Sequence, residues 1–343
     1  MKWIPRTWIV CCGILFFHLT AISQRGDYRI VFYNVENLFN TRNDPETEDE
    51  EFLPGKGRNW NTFRFFNKLN RIAKVLIASG GWEPPEIIGL CEVETRRVVE
   101  QLISHTLLKE AGYKIIHKES PDERGIDVSM IYNREKFTPL KYRYLTVRDS
   151  EGRALDTREI LYVFGIAKKM DTLHLFFNHW PSRYGGYLET EGLRKQAAET
   201  LRREVNRIFQ QYRDPKIIIT GDFNDQPSDD SLLKILHAVA SNETEKKDQL
   251  INLSFPWEGR ETGTVKYQSQ WQVYDQVIVS ANLLSGEGLL YCTRESAGIF
   301  TKRFLLKEDP VYGGYKPART YTGYRYEGGF SDHLPVYLDL FFR

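Results

Sequence analysis

The amino-acid sequence predicts a single large α/β domain, and three observations carry that expectation. Short runs rich in β-branched and aromatic residues recur along the whole chain, and most of them end in a polar cluster. Amphipathic stretches with apolar residues at helical spacing fall between some of these runs. No repeat, low-complexity tract or Pro/Ser-rich linker divides the chain, and 343 residues with 41% hydrophobic content can bury one large core.

The first strand is expected over residues 29–34, ending in the polar group Asn34-Val35-Glu36-Asn37. A loop over 41–59 follows, carrying Asp44, Glu46, Glu48, Asp49, Glu50 and Glu51 and then Pro54, Gly55 and Gly57. Its composition reads as a solvated loop, with a calcium loop or a partner site as the alternatives. Residues 63–78 place Phe66, Leu69, Ile72, Ala73, Leu76 and Ile77 on one helical stripe, which Gly80-Gly81 terminates. Further strands are expected over 87–91, 128–132, 161–166, 173–178, 217–220, 274–280 and 334–340. Between them, residues 189–211 form a helix with Leu193, Ala197, Ala198, Leu201, Val205, Ile208 and Phe209 on one face. Its Arg194, Lys195, Arg202, Arg203 and Arg207 read as a solvated face or, alternatively, a nucleic-acid patch.

The N-terminus reads as an export signal: Lys2 and Arg6, an apolar run from Trp8 to Leu19, then Ala21-Ile22-Ser23, which suits cleavage before Gln24. Residues 1–23 are therefore expected to be a signal peptide and 24–343 the mature domain, periplasmic or extracellular. A retained signal anchor is the alternative, but the run is shorter than the roughly 20 residues of a spanning helix. Two of the four cysteines, Cys11 and Cys12, fall in this leader. Cys91 and Cys292 are too few for a disulfide framework and read as small core residues. The balance of 47 basic against 46 acidic residues becomes 45 against 46 without Lys2 and Arg6, so no global field favours nucleic acid, although a local patch still could.

Chemistry concentrates at strand ends. An apolar strand runs into Gly221-Asp222-Phe223-Asn224, where period-two alternation lets Asp222 and Asn224 face one cleft, an arrangement that suits a cation or a phosphate. Ser331-Asp332-His333 puts a carboxylate beside an imidazole before another apolar run. Asn34, Glu36, Glu92, Asp127, Arg158, Asn178, His179 and Asp275 stand at similar positions. Singly, such residues are more often turn formers, caps or satisfied core groups; together they suggest phosphoester hydrolysis.

With these motifs, the chain resembles the endonuclease/exonuclease/phosphatase superfamily, the deoxyribonuclease-like fold, over about residues 27–343. The motifs are Asn34 after the first strand, Leu90-Cys91-Glu92-Val93, Asn178-His179-Trp180, Gly221-Asp222-Phe223-Asn224, Tyr274-Asp275-Gln276-Val277, and Ser331-Asp332-His333-Leu334-Pro335-Val336. The resemblance implies a four-layer sandwich of two packed β-sheets flanked by helices. It also implies Mg²⁺ or Mn²⁺ held by Glu92 with Asn34 and Asp332, while Glu36 is equally a ligand neighbour or a turn stabiliser. His333 is implied as general base, oriented by Asp275. His179 would grip a phosphate oxygen or assist the leaving group, with Asp127 orienting it. Asp222 and Asn224 would hold water, leaving group and phosphate, and Asn178 would lie at the phosphate. Arg158 resembles a phosphate-binding arginine of the family, with a surface ion pair as the alternative.

Two segments beside these motifs carry the substrate expectation. Trp180 to Gly186 includes Arg183, and Tyr312 to Tyr326 interleaves aromatics with Lys316, Arg319 and Arg325. They suit stacking of bases and contact with phosphates, or simple packing on the sheet edge. The opening Asn34 to Phe39 is similar to that of exported nucleases. The expected function is thus a divalent-metal-dependent phosphoesterase, an exported nuclease with nucleic acid as substrate. The alternative is a phosphatase or phospholipid phosphodiesterase acting on inositol phosphates or lipid headgroups. A catalytically silent binding protein is the remote alternative. Neither a protein partner nor stable membrane insertion is implied, because no long apolar hairpin is present.

Overall fold

The computed structural model describes residues 25–241, 246, 248–286 and 288–343. The expected leader and its cysteines lie outside the described residues. Among the described residues, no helix is long and apolar enough to cross a membrane.

In chain order the elements are β1 (Tyr28–Leu38), α1 (Thr62–Gly80), β2 (Ile87–Val93), α2 (Arg96–Ser104), β3 (Tyr113–His117), β4 (Asp127–Asn133), β5 (Phe137–Leu145), β6 (Ile160–Ala167), β7 (Asp171–His179), α3 (Tyr187–Gln211), β8 (Ile217–Asp222), β9 (Ala238–Val239), β10 (Leu250–Asn252), β11 (Val265–Tyr267), β12 (Gln270–Gln272) and β13 (Asp275–Ser280). There follow α4 (Ala281–Leu284), β14 (Leu290–Tyr291), β15 (Ala297–Ile299), β16 (Leu306–Glu308), β17 (Tyr315–Pro317), β18 (Tyr321–Thr322), β19 (Arg325–Tyr326) and β20 (Val336–Phe342). One sheet has the order β14-β20-β1-β2-β4-β3, with β15 also on β20; the other has β5-β6-β7-β8-β13-β10-β9.

Side-chain alternation builds the layers. Along β1, Tyr28, Ile30 and Phe32 join Leu161, Val163, Leu175, Phe177, Ile218, Val277 and Val279 in the core between the sheets. Val31, Tyr33 and Val35 face the other way, onto Leu69, Ile72 and Leu76 of α1 and Val98, Val99 and Leu102 of α2. On the far side, Phe176, Ile217, Ile219 and Ile278 meet Ala197, Leu201, Val205 and Ile208 of α3. The result is the expected four-layer sandwich. The two sheets approach closely at Gly89, where an added Cβ would lie 2.2 Å from the ring of Phe177.

Helix ends follow local chemistry. Asn61 caps α1 by accepting from the Arg64 amide at 3.1 Å, and Gly81 closes it at φ 77°. Thr95 caps α2 through the Val98 amide at 3.4 Å. The expected solvated face of α3 needs one correction: Arg194 is fully buried. Its Nε donates to Asp225 at 2.7 Å and its other nitrogens to Thr190, Tyr187 and Ser182, so it ties α3 to the end of β8.

The loop over 41–59 and the aromatic segment over 312–326 are more built than expected. In 41–59, a helical turn over Glu50–Phe52 stacks Phe52 on Phe39 at 4.3 Å, with Trp60 against its edge. In 312–326, β17 pairs with β16 just upstream, the β18–β19 hairpin forms, and Tyr321 is buried beside Trp60. Cys91 and Cys292 are buried and unbridged, as expected of core residues.

Candidate active site

Register brings polar strand ends together. On the second sheet, His179 of β7 pairs with Asp222 of β8, and Asp222 with Asp275 of β13, so three adjacent strands present one polar row. Gly221 makes the approach possible: at φ 156°, an added Cβ would stand 2.4 Å from the Asn178 carbonyl. On the first sheet, β1 and β2 run parallel with Asn34 opposite Cys91, and the register slips before Leu38 meets Val93. The slip turns Glu36, Asn37 and Glu92 into the left-handed region at φ 53°, 52° and 60°, and Asn224 adopts φ 51°. Left-handed conformations of non-glycine residues cost free energy, and their concentration at this cleft points to function.

The side chains form one network. Asn34 Nδ2 donates to Glu92 at 3.2 Å and to Asp222 at 3.0 Å, while its Oδ1 accepts from the Glu36 amide at 3.0 Å. Since that amide requires an acceptor, the nitrogen of Asn34 faces the carboxylates. Asn34 thus bridges the two acids in this arrangement and does not present its oxygen as a ligand. Glu92 also accepts from the Asn37 amide at 2.8 Å, and Asp222 from the Asn224 amide at 3.0 Å. His333 Nδ1 lies 2.7 Å from Asp275 Oδ2, and its Nε2 lies 3.8 Å from Asp222. His179 Nε2 stands 3.9 Å from both Glu92 and Asp222.

The two imidazoles are tuned in opposite directions. Burial disfavours charge on His333, but the Asp275 and Asp222 carboxylates outweigh it and hold its pKa well above the ordinary value. Burial, reinforced by Arg158, Arg124 and His333, holds His179 well below it. Asp222 is pushed up to about 6, chiefly by burial, with the His333 charge opposing and Asp275 adding.

Several expected roles change with the side-chain directions. Asp127 turns to His117 at 3.0 Å and accepts from the Ser120 amide at 2.7 Å, so it lies against His117 and not His179, whose Nδ1 is buried without a hydrogen-bond partner. His117 ends β3, the neighbour of β4, which is why it captures the first residue of β4. Asn178 is fully buried, donating to the Thr220 carbonyl and accepting from the Trp180 indole, and so is part of the frame behind the site. Arg158 is buried, spending donors on Asp122 at 2.7 Å and the Trp180 carbonyl at 2.8 Å. That carbonyl also accepts from the Asn224 side chain at 3.0 Å. Arg183 is held by the Asn224 carbonyl, Asp225 and Asp229 at 2.6, 2.9 and 2.5 Å. Arg319 reaches Asp332 at 2.9 Å and Glu36 at 3.3 Å, and keeps 41% of its side chain exposed. Arg319 therefore meets the expected ligand Asp332, whose pKa it lowers against the effect of burial.

Thr264, Ser331 and Lys68 complete the frame. Thr264 Oγ1 accepts from the amides of Tyr274 and Asp275, and Ser331 Oγ donates to the Asn34 carbonyl while accepting from the His333 amide. Lys68, fully buried, donates to the Phe330 carbonyl and Thr320 and lies 3.8 Å from Glu36. Thr264 sits in a polar stretch without periodicity, and Lys68 falls within a helical pattern, so neither carries a sequence signal of its own.

The donor set fits a hard divalent cation. Glu92 and Asp222 converge on Asn34, and Asp222, Asp275 and His333 each offer one atom within 4.8 Å of one another, with Asp275 Oδ1 buried and unpartnered. The short His333–Asp275 contact is itself a carboxylate–imidazole pair, so Glu92 and Asp222 are the better-disposed ligands.

A four-layer sandwich with carboxylates, imidazoles and amides gathered where the ends of both sheets meet defines a class of phosphoester-hydrolysing proteins. A model of the endonuclease/exonuclease/phosphatase family matches residues 29–341, and the chain belongs to that family. No curated protein sequence matches it significantly. Among solved structures, the endonuclease/exonuclease/phosphatase of Bacteroides vulgatus is similar at 16% identity and TM-score 0.55, over 92% of this chain and 99% of its own. The mannosyl-6-phosphatase of Bacteroides thetaiotaomicron is similar at 14% and 0.54, over 92% and 100%. The catalytic domain of human Nocturnin, with bound sulfate, is similar at 13% and 0.56, over 92% and 94%. At these identities the likeness bears on the fold.

Proposed function

We propose that the chain is an exported, divalent-metal-dependent phosphoesterase whose substrates are compact phosphoesters such as sugar or inositol phosphates. The observation that carries the choice of substrate is the pairing of the expected phosphate-binding arginines. Arg158 and Arg183 are committed to Asp122, Asp225 and Asp229, and Arg319 to Asp332 and Glu36. Nucleic-acid affinity rests mainly on cations that contact the backbone phosphates. A single phosphate group needs few such contacts.

The chain's own residues supply the remaining chemistry. Asp275 fixes the tautomer of His333, whose Nε2 is then directed toward Asp222 and the attacking water. A cation held by Asp222 would weaken the pull of that carboxylate on His333 and so favour the neutral imidazole that accepts the proton of water. His179, kept neutral by burial, and the second N–H of the Asn224 side chain, whose first donates to the Trp180 carbonyl, bind phosphate oxygens from the other side. A divalent cation bound at Glu92 and Asp222 would neutralise phosphate charge and acidify water.

A nuclease is the second reading, favoured by the exposed Tyr184, Tyr267, Tyr312 and Tyr324, which suit base stacking. Hydrolysis by residues 24–343 of sugar phosphates, inositol phosphates, single-stranded DNA, RNA and plasmid, with Mg²⁺ or Mn²⁺ and then EDTA, decides between them. Chelator-sensitive phosphate release that His333→Ala abolishes is the expected result. Nicking of nucleic acid without turnover of the small esters would replace the first reading with the second, and no turnover of any substrate would favour a silent binding protein.

A further inference from the structure

The acidic loop between β1 and α1 does not simply display its charges to water. Asp49 and Glu94, at the base of this loop and just after β2, are 1% and 3% exposed. Each commits one oxygen to a loop amide: Asp49 Oδ2 accepts from Asp44 at 2.9 Å, and Glu94 Oε2 from Asn40 at 2.6 Å. The other oxygen of each, Asp49 Oδ1 and Glu94 Oε1, is buried without a hydrogen-bond partner, as is the Thr47 hydroxyl of the same loop. Neighbouring charges add to the problem. Glu94 feels Asp49 and Asp44, and Asp49 feels Glu50 and Asp44.

Burying a carboxylate with one oxygen unpartnered is unfavourable, and a second acid nearby makes it more so. A hard cation relieves both. Calcium-class ions accept six to eight oxygens in flexible geometry, drawing on carboxylates, hydroxyls and carbonyls together. Stacking of Phe52 on Phe39, the Trp60 bond to the Phe39 carbonyl at 2.9 Å and the Glu48 amide bond to the Glu123 carbonyl at 2.8 Å hold the loop in place around these oxygens.

We propose that the base of this loop is a calcium-class cation site, with Asp49 Oδ1 and Glu94 Oε1 as its carboxylate ligands, separate from the cleft at Asp222 and His333. The ion would fasten residues 40–59 to the end of β2, immediately beyond Glu92.

The test uses residues 24–343 carrying Asp222→Asn and His333→Ala, so that the cleft is disabled, with terbium and calcium as probes. Trp60 bonds to the residue preceding Asn40 and is placed to sensitise bound terbium. Saturable terbium emission that calcium displaces, and that Glu94→Gln and Asp49→Asn each weaken at least tenfold, is expected. Calcium at a hundredfold excess over its Kd should raise Tm by about 5 °C, an effect that EGTA reverses. Emission unchanged in both loop variants would overturn the assignment. So would a parent chain whose Tm does not respond to calcium, a measurement that stands even if a variant fails to fold.

Discussion

His333 Nδ1 and Asp275 Oδ2 lie 2.7 Å apart although 58 positions separate them in the chain. Thr264 sets the backbone of both: its hydroxyl accepts from the Asp275 amide at 3.1 Å, and its carbonyl accepts from the Leu334 amide at 2.7 Å. Burial opposes a charge on His333, so the Asp275 carboxylate is needed to sustain it.

Asp275→Asn preserves shape and removes that charge. We expect kcat to fall by about 10²- to 10⁴-fold, the range for a general base deprived of its orienting group. Because the carboxylate raises the pKa of His333, the acid limb of the kcat/KM profile should also move to lower pH. A pH profile that keeps its acid limb in place would remove Asp275 from this role.

Asn34 is the donor between Glu92 and Asp222. Asn34→Ala leaves two carboxylates facing each other with neither bond, at a cost of about 3 kcal/mol, since hydrogen bonds to charged groups are worth about 1.5–3 kcal/mol each. Urea unfolding with and without Mg²⁺ checks the position as well as the cost. Saturating Mg²⁺ should recover part of the loss by screening the repulsion. A deficit that Mg²⁺ leaves untouched would place the cation away from these acids.

Arg194→Met tests the frame behind Asn224. The guanidinium is fully buried and donates to Asp225 at 2.7 Å, while Asp225 also receives Arg183 and Ser231. Removing one partner of a buried pair typically costs about 3–5 kcal/mol because the other charge remains. Chemical denaturation should show this loss. Arg183→Ala, at the more exposed end of the same network, should cost less and leave KM for small phosphoesters nearly unchanged. A large rise in KM would return Arg183 to the substrate.

The parts of the fold visible in the sequence are those whose two faces differ. β1, β2, β7 and β8 are apolar runs with polar residues at their ends, β20 is one that follows a polar motif, and α1 and α3 carry long apolar stripes. β5 is not visible in this way: its edge position leaves Thr138, Leu140, Lys141 and Tyr142 exposed, and Pro139 stands within it. β3 and α2 are too short for a period to emerge. At the cleft, residue type and strand-end position foreshadow Asn34, Glu92, His179, Asp222, Asp275 and His333. Side-chain direction does not follow from them. Asp127 turns to His117, Arg183 to Asp225, and Asn178 into the frame, because each finds a neighbour on an adjacent strand or loop that only the tertiary fold supplies. Charge composition likewise hides Asp49, which shares its loop with acids that are exposed, and Glu94, which directly follows β2.

His174 provides a pH-dependence away from the cleft. It is 1% exposed in β7, its Nδ1 lies 2.8 Å from the Tyr162 hydroxyl, and it stacks against Phe164 at 4.6 Å. Burial lowers its pKa from 6.5 to about 4. A folded-state pKa below the unfolded one means that protonation favours the unfolded chain. The stability contributed by keeping this ring neutral is therefore present above pH 6.5 and is lost as pH falls toward 4. At 1.36 kcal/mol per pH unit, that amounts to about 3 kcal/mol. His174→Phe, which preserves the stack and cannot be protonated, should flatten the decline in unfolding free energy between pH 6.5 and 4 by about this amount. Urea titrations of both chains at pH 7, 5.5 and 4.5 measure it; parallel curves would show that another group governs acid stability.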